Sequence, residues 1–135
     1  MSKKFYQILS IIIMMLIFTN SLMSAEVSSA QSGFVLNLVN SVLGWFNLTI
    51  EVDVLSLIIR KSAHFLEFMI LGFTLAKGWG LKFIFHAFLI ILVATLDESI
   101  QLFSEGRAFS VLDIGIDFMG GIFGLPLVRL NFRQK

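Results

Sequence analysis

Arg60, His64 and Glu67 lie four and three residues apart, so a helix would carry all three on one face. Asp97 and Gln101 repeat the four-residue interval, with Glu98 beside the first of them, and Asp113 and Asp117 repeat it again. Arg107 falls between the last two groups. Such a set suits three kinds of chemistry. His64 can serve as general base or acid. Asp97, Glu98, Asp113 and Asp117 can hold a divalent cation or orient His64, and so many oxygen ligands suit magnesium, manganese or calcium better than zinc. Arg60 and Arg107 can bind phosphate, with Gln101 as a further substrate-binding group. Glu67 completes the candidate catalytic set, because it shares the helix face of His64.

A structural role is open to the same residues. Buried carboxylates in a small helix bundle can pair with Arg60, Lys61 and Arg107 simply to hold helices together. Geometry separates the two readings. Chemistry is favoured if His64 and two carboxylates come within hydrogen-bonding reach, and a polar seam if each carboxylate pairs with one cation.

The elements that must position these residues are apolar. Of the 135 residues 57% are hydrophobic and 14% charged, and the mean hydropathy is +0.91. These values belong to a membrane-embedded chain rather than a water-soluble domain. An ionisable side chain within a span is costly unless it faces protein, water or a partner, which makes each one a functional candidate. The fold expected is all-α and polytopic: a single domain over 1–135 with spans at about 5–23, 62–76, 83–100 and 111–130. The second span begins earlier, near Val54, if Arg60 and Lys61 snorkel through the interface. The first hydrophobic stretch reads as an anchor, although a secretory signal peptide is the alternative, with Ser28-Ser29-Ala30 as its best cleavage site.

Between the first two spans, Ala25 to Gly33 reads as a loop from its Ser, Ala and Gln content. From Phe34 onward, Leu38, Val42 and Phe46 recur at helical spacing. Asn37, Asn40, Ser41 and Asn47 interrupt them, which suggests a short interfacial or re-entrant helix with Trp45 at headgroup level. Lys77 to Lys82 reads as a tight turn, and Ser104 to Ser110 joins the third and fourth spans as an antiparallel hairpin. His86 has no acid near it and reads as an ordinary packed or snorkelling histidine, while Gly120 and Gly124 suit close helix approach. Cysteine is absent, which excludes disulfides and thiolate chemistry, and no basic patch or module supports nucleic-acid binding.

Several of these motifs together resemble the VanZ-like family of small bacterial membrane proteins. They are Ser28 to Ser32, Arg60 to Phe68 with Leu71-Gly72, Asp97 to Phe103 with Gly106-Arg107, and finally Asp113, Asp117 and Gly120. Phe68 stands where a tyrosine is common in that family. The resemblance implies a cell-envelope protein of Gram-positive-type bacteria, the founding member being associated with low-level teicoplanin resistance. Two functions compete. One is an enzyme acting on an outer-leaflet lipid-linked or phosphorylated envelope precursor. The other is a non-catalytic protein that binds an envelope component or a glycopeptide, or whose polar residues hold the bundle together. A transporter is a distant third, since no acid lies in the inner half to relay across the bilayer.

Basic residues near span ends are retained in the cytoplasm. Lys3, Lys4, Lys77, Lys82, Arg129, Arg133 and Lys135 then lie inside and Arg60, Lys61 and Arg107 outside, with both termini cytoplasmic. The loops near Gln31 and Gly106 are expected to be external. A single cysteine placed at Gly106 should react with a membrane-impermeant reagent in intact cells. Labelling only after permeabilisation would reverse the orientation and move the polar residues to the inner face.

Overall fold

A computed structural model describes residues 2–127. Five helices follow one another: α1 (Lys3–Ser21), α2 (Ala25–Trp45), α3 (Val52–Trp79), α4 (Phe83–Gln101) and α5 (Val111–Gly124). There is no strand among the described residues. Serine caps open three of the helices: Ser2 accepts from the Phe5 amide, Ser24 from Val27 and Ser110 from Asp113. At the other end of α3, Gly80 takes the left-handed conformation, with φ of 59°, and stops the helix.

Two sequence expectations need correction here. The segment from Ala25 to Gly33 is not a loop but the first part of α2, which runs unbroken for 21 residues. The Ser24 cap starts it, and Glu26 sits in its first turn, where the helix dipole favours an acid. Ser32, one of the serines that suggest a loop, bonds back to the carbonyl of Ser28 within the helix, as Ser41 does farther on to that of Asn37. The Lys77 to Lys82 turn is likewise shorter than expected, because α3 continues through the buried Gly78 to Trp79.

α3 is also longer than the span read at 62–76. Its 28 residues start at Val52, near the earlier of the two starts considered. α4 matches its expected span closely. α5 stops at Gly124, where Leu125 and Pro126 turn the chain. The rest of the expected fourth span, together with Arg129, Arg133 and Lys135, lies outside the described residues. By length and composition, two helices, α1 and α4, are apolar enough to cross a membrane.

Glycine sets the packing. α3 and α5 run parallel, and a Cβ on Gly120 would strike the carbonyl oxygen of Phe65, one on Gly124 that of Met69, and one on Gly72 that of Gly121. These are backbone-to-backbone approaches of the kind that small residues permit between membrane helices. α1 runs antiparallel to α3. The Gln7 amide donates to the Gly78 carbonyl at 3.1 Å at one end, and Asn20 meets Glu67 at the other. Ile17, Phe68, Leu71 and Ile90 are completely buried between the helices. Phe68 therefore packs the core, and a ring at this position does not need a hydroxyl. His86 is a packed histidine, buried, with Nε2 3.2 Å from the Leu75 carbonyl oxygen.

Gly72→Val should destabilise the bundle by at least the cost of overpacking a filled core, about 1–3 kcal/mol. Gly115→Ala, which meets no atom within 4 Å, should be neutral or stabilising by up to about 1 kcal/mol through helix propensity. Thermal unfolding of the detergent-solubilised protein checks both. Equal effects of the two substitutions would mean that α3 and α5 do not touch through these glycines.

Candidate functional site

The alternation of helix directions brings one set of helix ends together. The last turn of α1 contributes Asn20 and Ser21, and the first half of α3 supplies Arg60, Lys61, His64 and Glu67. The last turns of α4 supply Asp97, Glu98 and Gln101, the following turn Arg107, and the start of α5 Asp113 and Asp117. Lys3, Lys4, Lys77 and Lys82 lie at the other end. α4 and α5 close as the expected hairpin, tied by the Ser110 amide, which donates to Glu98 Oε2 at 2.8 Å.

Some of these groups are held in a closed network. Gln101 Nε2 donates to Asp97 Oδ2 at 3.1 Å and to Glu98 Oε1 at 2.9 Å. Ser21 Oγ donates to Asp97 Oδ1 in a short hydrogen bond. Ser21 is itself held through its carbonyl, which accepts from Ser104 Oγ at 2.6 Å. Asn20 Nδ2 donates to Glu67 Oε1 at 2.8 Å. Lys61 and Asp113 form an ion pair at the rim. Asn20, Ser21 and Ser104 were not among the residues singled out from the sequence. The signal available was a pair of polar residues closing an apolar run at 20–21, which sequence reading treats as a span end.

Other groups converge without closing. His64, Asp97 and Asp117, from three different helices, each offer a ligand atom, and these atoms all lie within 4.8 Å of one another. Asp97 is 0% exposed and Asp117 2%. His64 Nδ1 stands 3.8 Å from Glu67 Oε2, an electrostatic distance rather than a hydrogen bond. Both atoms are buried without a hydrogen-bond partner, as are Arg60 Nε and Arg107 Nε.

These unpartnered atoms border open space. A cavity of about 140 Å³ is lined by Arg60, His64, Glu98, Arg107 and Asp117, among others. A second, of about 200 Å³, lies between α2 and α3, where Ser28 and Ser32 face Arg60, His64, Glu67 and Arg107. Arg60, His64 and Arg107 form a wall common to both. Burial first, and then the charge of Arg60 beside it, pull the Arg107 guanidinium below its ordinary pKa. A guanidinium stays charged nonetheless. Two like charges sharing one wall mark a place for an anion.

All nine residues singled out from the sequence thus gather at one end of the bundle, and they divide by role. Asp113 is paired with Lys61, and Glu98 has both oxygens occupied by Gln101 and the Ser110 amide. His64, Glu67, Arg60 and Arg107 retain free bonding capacity toward the cavities.

The family model described as VanZ/LLP1 matches residues 6–132 of the chain. No curated protein and no solved structure matches it.

Ser21→Ala should cost about 1–3 kcal/mol, since it strips a donor from a buried carboxylate. The Lys61–Asp113 pair, with each side chain 30% exposed, should show a coupling of under about 1 kcal/mol in a double-mutant cycle, weaker still at high salt. A larger coupling for the rim pair than the Ser21→Ala cost would reverse this ranking of the network.

Proposed function

The chain belongs to the VanZ-like family, and from that premise we propose that it is a multi-pass membrane protein binding the phosphorylated headgroup of a lipid-linked envelope component. In this reading α1, α3, α4 and α5 cross the bilayer, α2 lies along its outer face, and both termini are cytoplasmic. The clustering of Lys3, Lys4, Lys77 and Lys82 at the end of the bundle opposite the cavities supports that orientation. Phe34, Leu38, Trp45 and Phe46 are exposed along α2, as an interfacial helix requires.

The observation that carries the reading is the shared wall of the two cavities, where Arg60 Nε and Arg107 Nε are buried and unpartnered beside His64 Nδ1. A phosphoryl group has the charge and the acceptor oxygens to satisfy both guanidiniums at once. In this reading the headgroup occupies the second cavity, lined from α2 and α3, while its acyl or isoprenyl tail stays in lipid. His64, with Asp97 and Asp117 behind it, is the group placed to act on that headgroup. Sequestering or altering such a component would change susceptibility to teicoplanin, the phenotype tied to the family's founding member. The ion pair of Lys61 with Asp113 favours a structural role for those two residues alone.

The test uses protein in nanodiscs and a long-chain isoprenyl monophosphate, with the corresponding neutral alcohol as control. The wild type should retain the phosphate and not the alcohol. Arg60→Ala and Arg107→Ala should each weaken retention about 10- to 100-fold, the loss expected for a charge-assisted hydrogen bond, at normal abundance in the membrane. The same variants should lose any effect on teicoplanin susceptibility in a sensitive host. Retention that is indifferent to the phosphate, or variants whose abundance and phenotype fall together, would leave the cluster as helix glue.

A further inference from the structure

We infer that His64, Asp97 and Asp117 form a binding site for one divalent transition-metal ion of the manganese or zinc class. Three observations lead there. The first is convergence: the three side chains come from α3, α4 and α5, and their ligand atoms lie within 4.8 Å of one another, close enough for a single ion to reach all three.

The second is a buried carboxyl group that no donor answers. Asp117 is 98% buried, from a relative exposure of 2%, and lines the cavity. No donor among the described residues bonds its carboxylate. The acids Asp97, Glu98, Asp113 and Glu67 bear on it, and His64, Arg60 and Arg107 face the same cavity. A buried carboxylate among carboxylates calls for a cation. Lys61 is paired with Asp113, and Arg60 and Arg107 line the same cavity as Asp117 without bonding its carboxylate.

The third is support around the ligands. Ser21 and Gln101 each donate to Asp97 and fix its orientation, the arrangement that outer-shell partners give to a metal-binding carboxylate. Convergence narrows the set further, because Glu98 and Asp113 are not among the side chains whose ligand atoms meet, whereas each Asp97 oxygen, though it accepts one hydrogen bond, keeps a second lone pair for an ion. The four-carboxylate ligand set expected from sequence is thereby replaced by one imidazole and two carboxylates. An imidazole among the ligands shifts preference from magnesium and calcium toward manganese, iron or zinc. Three protein ligands leave coordination positions open toward the cavity.

This inference does not depend on the phosphate reading, and each can fail alone. Chelator-stripped protein in detergent is titrated with MnCl2 in phosphate-free buffer, with free manganese followed by its electron paramagnetic resonance signal. One ion per chain should bind, with zinc competing and magnesium competing weakly. Mn2+ should also raise the thermal midpoint of the wild type. Asp117→Asn and His64→Gln should abolish binding, and Gln101→Ala should weaken it about 10- to 100-fold. Arg60→Ala and Arg107→Ala should bind manganese as the wild type does, even where they lose the isoprenyl phosphate. In chelator, Asp117→Asn should be at least as stable as the wild type, since it removes an ionisable group buried without a donor; this keeps misfolding apart from loss of the site. A wild type whose midpoint and resonance signal ignore both manganese and zinc overturns the inference, as does saturable binding that survives Asp117→Asn.

Discussion

The backbone contact between α3 and α5 sets the positions of everything else. Parallel helices can come this close only where no side chain stands between them, and Gly72, Gly120 and Gly124 clear that space, while Gly121 makes room for Ile90 of α4. The contact also fixes a register. Gly120 lies against the Phe65 carbonyl and Gly124 against that of Met69, so Asp117, one turn earlier on α5, falls beside the turn of α3 that carries His64. A slide of one turn, about 5.4 Å, would part the two residues and open the cavity wall. The chemistry at the polar end therefore depends on apolar packing in the middle of the bundle.

Within the polar end, physical cost sorts the residues. Asp97 and Glu98 are buried and fully served by donors from Ser21, Gln101 and the Ser110 amide. A network satisfied in this way is rigid. Arg60, His64, Glu67 and Arg107 have buried atoms with no partner, and such groups are expensive to maintain unless a ligand completes them. Glu98 belongs wholly to the rigid network, while Asp97 is held by it and still offers a ligand atom toward His64 and Asp117. Helix α2 covers the boundary between the network and the unpartnered groups, bringing Ser28 and Ser32 over the second cavity while its exposed aromatic residues face outward.

Much of this was legible in the residues themselves. Arg60, His64 and Glu67 share a face because helical spacing requires it, and the short Ser104 to Ser110 connection obliges α4 and α5 to form a hairpin. The apolar runs of α1 and α4, the packed state of His86 and the close approach at Gly120 and Gly124 follow in the same way from local pattern. The segment at 25–33 departs from its loop-like composition for a local reason too. Serine and glutamine content suggests a loop, but Ser24 caps a helix there, and the Ser32 hydroxyl bonds back to the carbonyl of Ser28.

What spacing along one helix cannot give is the meeting of residues on different helices. Asp117 reaches His64, Ser21 reaches Asp97 and Asn20 reaches Glu67 across intervals of 53, 76 and 47 residues. Those meetings depend on interhelical register, which the backbone approach at the glycines decides. The sequence by itself determined which side chains stand at the helix ends and which end they share, because periodicity and turn length are local. Only the tertiary structure decided which carboxylates are already spoken for and which are left facing a cavity, because hydrogen-bond satisfaction is a property of neighbours in space.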